Sequence, residues 1–385
     1  MNKREDDRQL GARVAELRKL RGLSQKELAD ATGLKFAQSL CDLEAGRRAL
    51  KATELVRFAA FFGVPATTIL TGEPAPAAQR VLWRGAEGGS TGFREKEQQV
   101  FLTRCYHYAF LEKCADNEPR SAMPLLRLPK DMHHLAFEEV GAWADKVRDL
   151  LSLGARPALS LREALESEWG IKIFFAPLEG GSALTAKGDF GSGICLREGE
   201  PLWRRHFSLA HELFHLLTWE GTPEPGGPVR GQGKDRAETL AEVFASHLLL
   251  PLNALQPFIR SLSAEKGARG MAILEAAHEF GVSVEAVIWR MVNLGILTKE
   301  AAKKLLSDAR LKVLDRGARP CEACHEPTFP ARFVFLAVRC FLAGKISRGK
   351  LAELLETTVG DLGQVLDQYG YDLDSDAYEA KIVSA

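Results

Sequence analysis

The run Phe207-Ser-Leu-Ala-His-Glu-Leu-Phe-His-Leu-Leu217 places three ionisable side chains inside an otherwise apolar stretch, and this constrains the chain more than any other feature. Phe207, Leu209, Leu213, Phe214, Leu216 and Leu217 surround a helix with apolar groups and bury it, so His211, Glu212 and His215 go inside with them. Buried polar groups without partners cost several kcal/mol, roughly 2–7 each. On a helix, positions i and i+4 lie one turn apart on one face, so the two imidazoles can reach a single cation. Roughly 0.02 such His-Glu-x-x-His strings are expected by chance at this length and composition, which argues against coincidence. The spacing predicts Zn²⁺ on His211 and His215. The intervening Glu212 is then the catalytic group that takes a proton from activated water and passes it to a leaving amine.

A third ligand must come from a neighbouring element. After the breaker-rich loop at 221–234, a helix begins at Asp235 and runs to Pro251, and it offers Glu238 as the leading ligand. Asp235 and His247 are weaker alternatives. Glu242, one turn beyond Glu238, is placed to support a ligand histidine by a hydrogen bond. The loop is expected to act as a flap. Together the two helices resemble the ImmA/IrrE-type metallopeptidases, matched in register by Glu238, Ala241, Phe244, Ala245, Leu248, Leu249 and Pro251. The likeness continues through Phe280–Gly295, spanning roughly residues 136–300. It implies a zincin-like domain of the gluzincin type, with zinc on His211, His215 and Glu238 and with Glu212 catalytic. It further implies a protein substrate, such as a repressor, in phage immunity, mobile-element control or stress response.

A different pattern opens the chain. Leu10, Val14, Leu17 and Leu20 recur at helical spacing, and Ser24 reads as the N-cap of a helix over Gln25–Ala31. Gly33 marks a turn, and a second helix and a basic pair follow, giving a helix-turn-helix. Leu28, Ala29, Leu34, Leu40 and Leu43 pack the helices together, leaving Lys35, Gln38, Ser39 and Asp42 outward. Gln38 is the best base reader, since Gln pairs bidentately with adenine, while Arg47, Arg48 and Lys51 hold phosphates. Residues 1–73 carry 13 Lys+Arg against 10 Asp+Glu, a net of +3, so pattern rather than charge carries this reading. The segment resembles the Xre/Cro/CI-type helix-turn-helix family through Ser24, Gln25, Leu28, Ala29, Gly33, Leu43, Glu44 and Gly46. That implies a double-stranded DNA operator, and a homodimer suits palindromic half-sites.

The remaining sequence organises around these two motifs. The Pro- and Gly-rich stretch 72–92 reads as a linker in which Val81, Leu82 and Trp83 dock on a neighbour. Gly170–Pro177 and Gly191–Leu196 read as strands. The expected architecture is mainly α, α+β overall: a helix-turn-helix domain over 1–73, a linker and helical segment over 74–135, the metallopeptidase domain with a small sheet over 136–300, and a helical region over 301–385. Within the last, Cys321, Cys324 and His325 with Cys340 form a candidate second zinc set. The whole chain has 51 Lys+Arg and 51 Asp+Glu, so no global charge excess points to nucleic acid or membrane. The charged start, the lack of a long apolar run and seven scattered cysteines predict a cytoplasmic chain with reduced thiols and no membrane association. Two other classes fit the same motifs: a non-catalytic transcription factor whose zinc is sensory or structural, and an antitoxin-like regulator.

Overall fold

A computed structural model describes the chain except for residues 1–2, 21–22, 35–36, 63–65, 72–79, 85–90, 118, 127–134, 179–180, 220–231, 263–267, 319–327 and 372–385. The flap expected at 221–234 lies largely outside the described residues, as do Lys35, Cys321, Cys324 and His325. The fold is mainly α with one small sheet, and the chain divides into two compact units, Met1–Gln79 and Arg80–Ala385. Among the described residues, no helix is long and apolar enough to cross a membrane.

The first unit contains α1 (Lys3–Leu20), α2 (Gln25–Ala31), α3 (Ala37–Glu44), α4 (Ala52–Phe62) and α5 (Ala66–Thr71). Ser24 caps α2 by accepting the Glu27 N–H at 3.2 Å, and the Glu27 carboxylate returns a bond to the Ser24 N–H at 2.7 Å. Gly33, at φ +70°, supplies the left-handed turn that a side chain resists. Val14, Leu28, Leu40, Leu43, Phe58, Phe62 and Ile69 form a dry core. Gly11 lets α1 approach α3 closely: a Cβ there would lie 2.0 Å from the Leu43 carbonyl oxygen.

The second unit begins with β1 (Arg80–Arg84) and α6 (Thr91–Cys114). It continues through α7 (Phe137–Leu150), α8 (Pro157–Glu168), β2 (Lys172–Ala176), β3 (Ala183–Gly188), β4 (Gly191–Arg197), α9 (Leu202–Leu217) and α10 (Gln232–Leu249). There follow α11 (Leu252–Leu262), α12 (Ala268–Glu279), α13 (Val284–Asn293), α14 (Lys299–Ser307), α15 (Ala309–Ala318), α16 (Ala331–Leu342), α17 (Arg348–Leu354) and α18 (Leu362–Asp367). The sheet order is β1-β3-β4-β2, with β2 and β4 parallel and the other pairs antiparallel.

Strand alternation divides the interior into two cores. Ile173, Phe175, Ala183, Ile194 and Leu196 face the core that contains α9 and α10, whereas Phe174, Leu184, Ala186 and Cys195 face α6 and α16–α18. The sheet is therefore covered on both sides. Two strands were not foreseen. Arg80–Arg84, read as linker, is an edge strand paired with β3 from Arg80↔Lys187 to Arg84↔Ala183. β3 itself is joined to β4 by the two-residue turn Asp189-Phe190. Residues 80–114 and the C-terminal helices thus belong to the same compact unit as the HExxH helix, because they furnish the second face of its sheet.

Candidate functional site

α9 buries one broad face, Leu209, Leu213, Phe214, Leu216 and Leu217, and His211, Glu212 and His215 are carried inside at 0%, 1% and 7% exposure. α10 lies against it through Leu240, Ala241, Phe244 and Leu248, with the rings of Phe214 and Phe244 5.5 Å apart. That contact brings Glu238 to the histidines. His211 Nε2 lies 3.1 Å from Glu238 Oε2 and 3.1 Å from His215 Nε2, and His215 Nε2 lies 3.5 Å from Glu238 Oε1. Among the described residues, these three form a group that could hold a metal ion, their donor atoms all within 4.8 Å of one another.

This donor set fits a zinc ion. Donors each about 2.0–2.1 Å from a tetrahedral ion sit roughly 3.3–3.4 Å from one another, close to the spacings found. Two imidazole nitrogens 3.1 Å apart can share only one proton, whereas a cation satisfies both lone pairs and the carboxylate together. A His₂Glu set leaves room for a further ligand, as hydrolytic sites require.

Glu212 points elsewhere, toward the sheet. The Thr185 hydroxyl, on β3, donates to Glu212 Oε2 at 2.7 Å, while Glu212 Oε1 is buried with no hydrogen-bond partner. Thr185 is wholly buried on the α9 face of a strand whose neighbours Leu184 and Ala186 face the other core. Sequence reasoning missed it. Its signal was a short run between Gly181-Ser182 and Gly188 whose alternation leaves one threonine among the α9-facing positions.

The other proposed site residues are placed differently. Glu242 is exposed and forms no hydrogen bond to either histidine, and the Nδ1 of His211 is buried without a partner, so the support expected from Glu242 is not formed. Glu242 instead lines a cleft beside the metal group. His247 lies against α7, where a Cβ on Gly141 would fall 2.4 Å from its Nδ1; burial, with the Arg290 charge, holds its imidazole down to about 4. The Asp235 side chain is outside the described set. Cys340 is buried on α16 with its Sγ 3.9 Å from the Leu111 carbonyl oxygen, in the core shared with α6.

On the helix-turn-helix, Gln38 and Arg47 are exposed and both bond Asp42 Oδ1, at 3.2 and 2.9 Å. Lys51 is exposed and Ser39 half-buried. Arg48 is not displayed as a phosphate contact would be. Its Nε donates to the Ser39 carbonyl at 2.8 Å and its Nη1 to Glu54 Oε2 at 2.7 Å, so it clasps α3 to α4. Glu44 is likewise internal. Burial opposes its charge, but bonds from Arg18 at 2.7 and 2.9 Å and from Gln25 at 2.8 Å outweigh that and hold its carboxyl below the usual range.

Residues 9–70 match a helix-turn-helix domain, and residues 166–291 match the IrrE N-terminal-like domain, a peptidase family. The chain joins a helix-turn-helix domain to an IrrE-like domain. The IrrE-like match takes in β2–β4, α9 and α10, hence all four residues of the candidate site and Thr185. No curated protein matches the chain. Among solved structures, one match is Bacillus thuringiensis PlcR in complex with the peptide PapR7 and DNA, at 12% identity and a TM-score of 0.15, over 98% of this chain and 100% of that one. So slight a likeness carries no argument about fold or function.

Proposed function

We propose that this chain is a DNA-binding transcriptional regulator whose IrrE-like unit is a zinc-dependent endopeptidase acting on a protein: a repressor, a partner or the regulator itself. The convergence of His211, His215 and Glu238 beside a buried, half-bonded Glu212 carries this reading. His211, His215 and Glu238 would hold zinc, which when bound supplies Lewis acidity and lowers the pKa of water. The protein side chains do the rest. Thr185 fixes Glu212 Oε2, so Oε1 is the atom that accepts a proton from the attacking water. The same oxygen then delivers that proton to the departing amine. The apolar walls of α9 and α10 limit water around these atoms and strengthen each electrostatic contact. In the first unit, Gln38 and Ser39 would meet base edges while Arg47 and Lys51 meet phosphates, and Lys35 belongs to the same proposed face. A homodimer reading two half-sites completes the proposal.

The test uses zinc-loaded full-length protein, a proteome-derived peptide library and mass spectrometry of new N-termini. The wild type should generate them, and Glu212→Gln, with its zinc retained, should lower the rate by about 10²–10⁴-fold. Equal cleavage by the two proteins, or none by the wild type, overturns the peptidase reading. Metal-dependent operator binding insensitive to Glu212→Gln would then favour a sensory zinc site.

A further inference from the structure

Beside the metal group, the groove between α9 and α10 opens into a cleft of about 520 Å³ whose far wall is α13. Ser208, three residues before His211, and Glu242, four residues after Glu238, both line it. On their helices these two residues lie one turn, roughly 5–6 Å between Cβ atoms, from His211 and Glu238. Its walls combine aromatic rings with carboxylates: Trp203, Phe207 and Trp289 are half-buried, while Glu242 and Glu285 are exposed.

The charge is uncompensated. Arg204, the basic residue in the lining, is paired with Glu200 at 3.3 Å. Glu242 has no ion pair or hydrogen bond among the described residues, and Glu285 accepts a long bond, 3.4 Å, from Trp289 Nε1. Rings beside two exposed carboxylates that no cation pairs among the described residues suit a long apolar stem that ends in a cation, which can lie over an indole face and reach a carboxylate together. An uncharged side chain uses only the rings, and an acidic one is repelled.

We propose that this cleft is a recognition pocket for a basic residue, arginine or lysine, of the peptide substrate, set beside the scissile bond. The proposal rests on the peptidase reading above, and it is tested without cleavage. Full-length Glu212→Gln protein, loaded with zinc, is titrated calorimetrically with acetyl-Ala-Ala-Arg-Ala-Ala-amide and with its norleucine counterpart. The arginine peptide should bind about tenfold more tightly, because its guanidinium is matched by both ring and carboxylate. Adding Glu242→Gln and Glu285→Gln, both at exposed positions that leave the core untouched, should bring that ratio below about twofold. Equal affinity for the two peptides, binding of neither, or a ratio unchanged in the triple variant overturns the pocket. Because binding is read in a protein unable to cleave, failure here leaves the cleavage test standing, and failure of that test leaves this ratio intact.

Discussion

The two faces of the four-stranded sheet both bury charge, on opposite terms. Toward α6 and α16, Glu112 receives Lys172 Nζ at 2.8 Å and Arg332 Nη1 at 2.7 Å, so a carboxylate at 5% exposure is answered by cations of the same chain. Toward α9, Glu212 has one oxygen bonded to a neutral hydroxyl and the other unbonded, beside two imidazoles and a carboxylate that converge on one another. Folding settles the first set completely. The second set brings three donors close enough together that they could hold one metal ion. Buried charge by itself therefore says little about function; the kind of group gathered around it says more.

The sharpest way to break this contrast is to remove one residue from each face. Glu112→Ala strands Lys172 and Arg332 without their counter-charge and should cost about 3–5 kcal/mol of stability in the second unit, read by urea denaturation. If the proposed zinc site is right, His211→Ala should instead leave an intact fold that no longer holds zinc. Zinc per chain, about one equivalent in the wild type, should fall to near none, and added zinc should no longer raise the melting temperature. If Glu112→Ala is neutral, or if His211→Ala keeps its zinc, the two faces do not differ as described.

Glu166, on α8, sharpens the comparison from between the two cases. It is buried with Oε1 unbonded and Arg162 3.9 Å from Oε2. Burial pushes its carboxyl up to about 7, against an ordinary 4.5. Between those values the folded protein keeps a proton that the unfolded chain has released, so stability falls as pH rises through the window. The loss is complete above pH 7 and is worth at most about 3 kcal/mol. Glu166→Gln should accordingly be more stable than the wild type at pH 8, with the gap closing below pH 4.5, by thermal melts across that range. A constant gap would show that the carboxyl does not titrate in the window.

What could be seen in the sequence was what depends on near neighbours. The two histidines of α9 are one turn apart whatever surrounds them, and Ser24 marks the start of α2 from its own neighbourhood. Glu238 stood ahead of Asp235 and His247 through the register of the resemblance, and the fold sets its carboxylate 3.1 Å from His211 Nε2. Long-range pairing was not visible. β1 and β3 are short, and each becomes a strand through its partner rather than through its own composition. The sheet's second face is supplied by α6 and α16, whose sequences are separated by more than two hundred residues, and no local pattern announces that Glu112 will meet Arg332. Arg48 misled for a related reason: a basic pair after a recognition helix reads as phosphate contacts, while the fold uses one of the two to close a carbonyl and Glu54.

Thr185 is the residue on which the two faces come closest to exchanging character, since it is a strand position that α9 could have met with a methyl group. Its hydroxyl makes no contribution to the metal group and serves to hold one oxygen of Glu212. Thr185→Val keeps the shape and removes the donor, so Glu212 loses its fixed orientation while His211, His215 and Glu238 are untouched. On the peptidase reading, the expected result is full zinc content with peptide cleavage about tenfold slower, a loss carried by kcat rather than KM because Thr185 is wholly buried and acts through Glu212. Thr185→Ser, which keeps the hydroxyl and removes the methyl, should recover most of the rate. If serine and valine are equally impaired, the threonine acts by filling space, and the α9 face carries one fewer arranged polar contact than the geometry suggests.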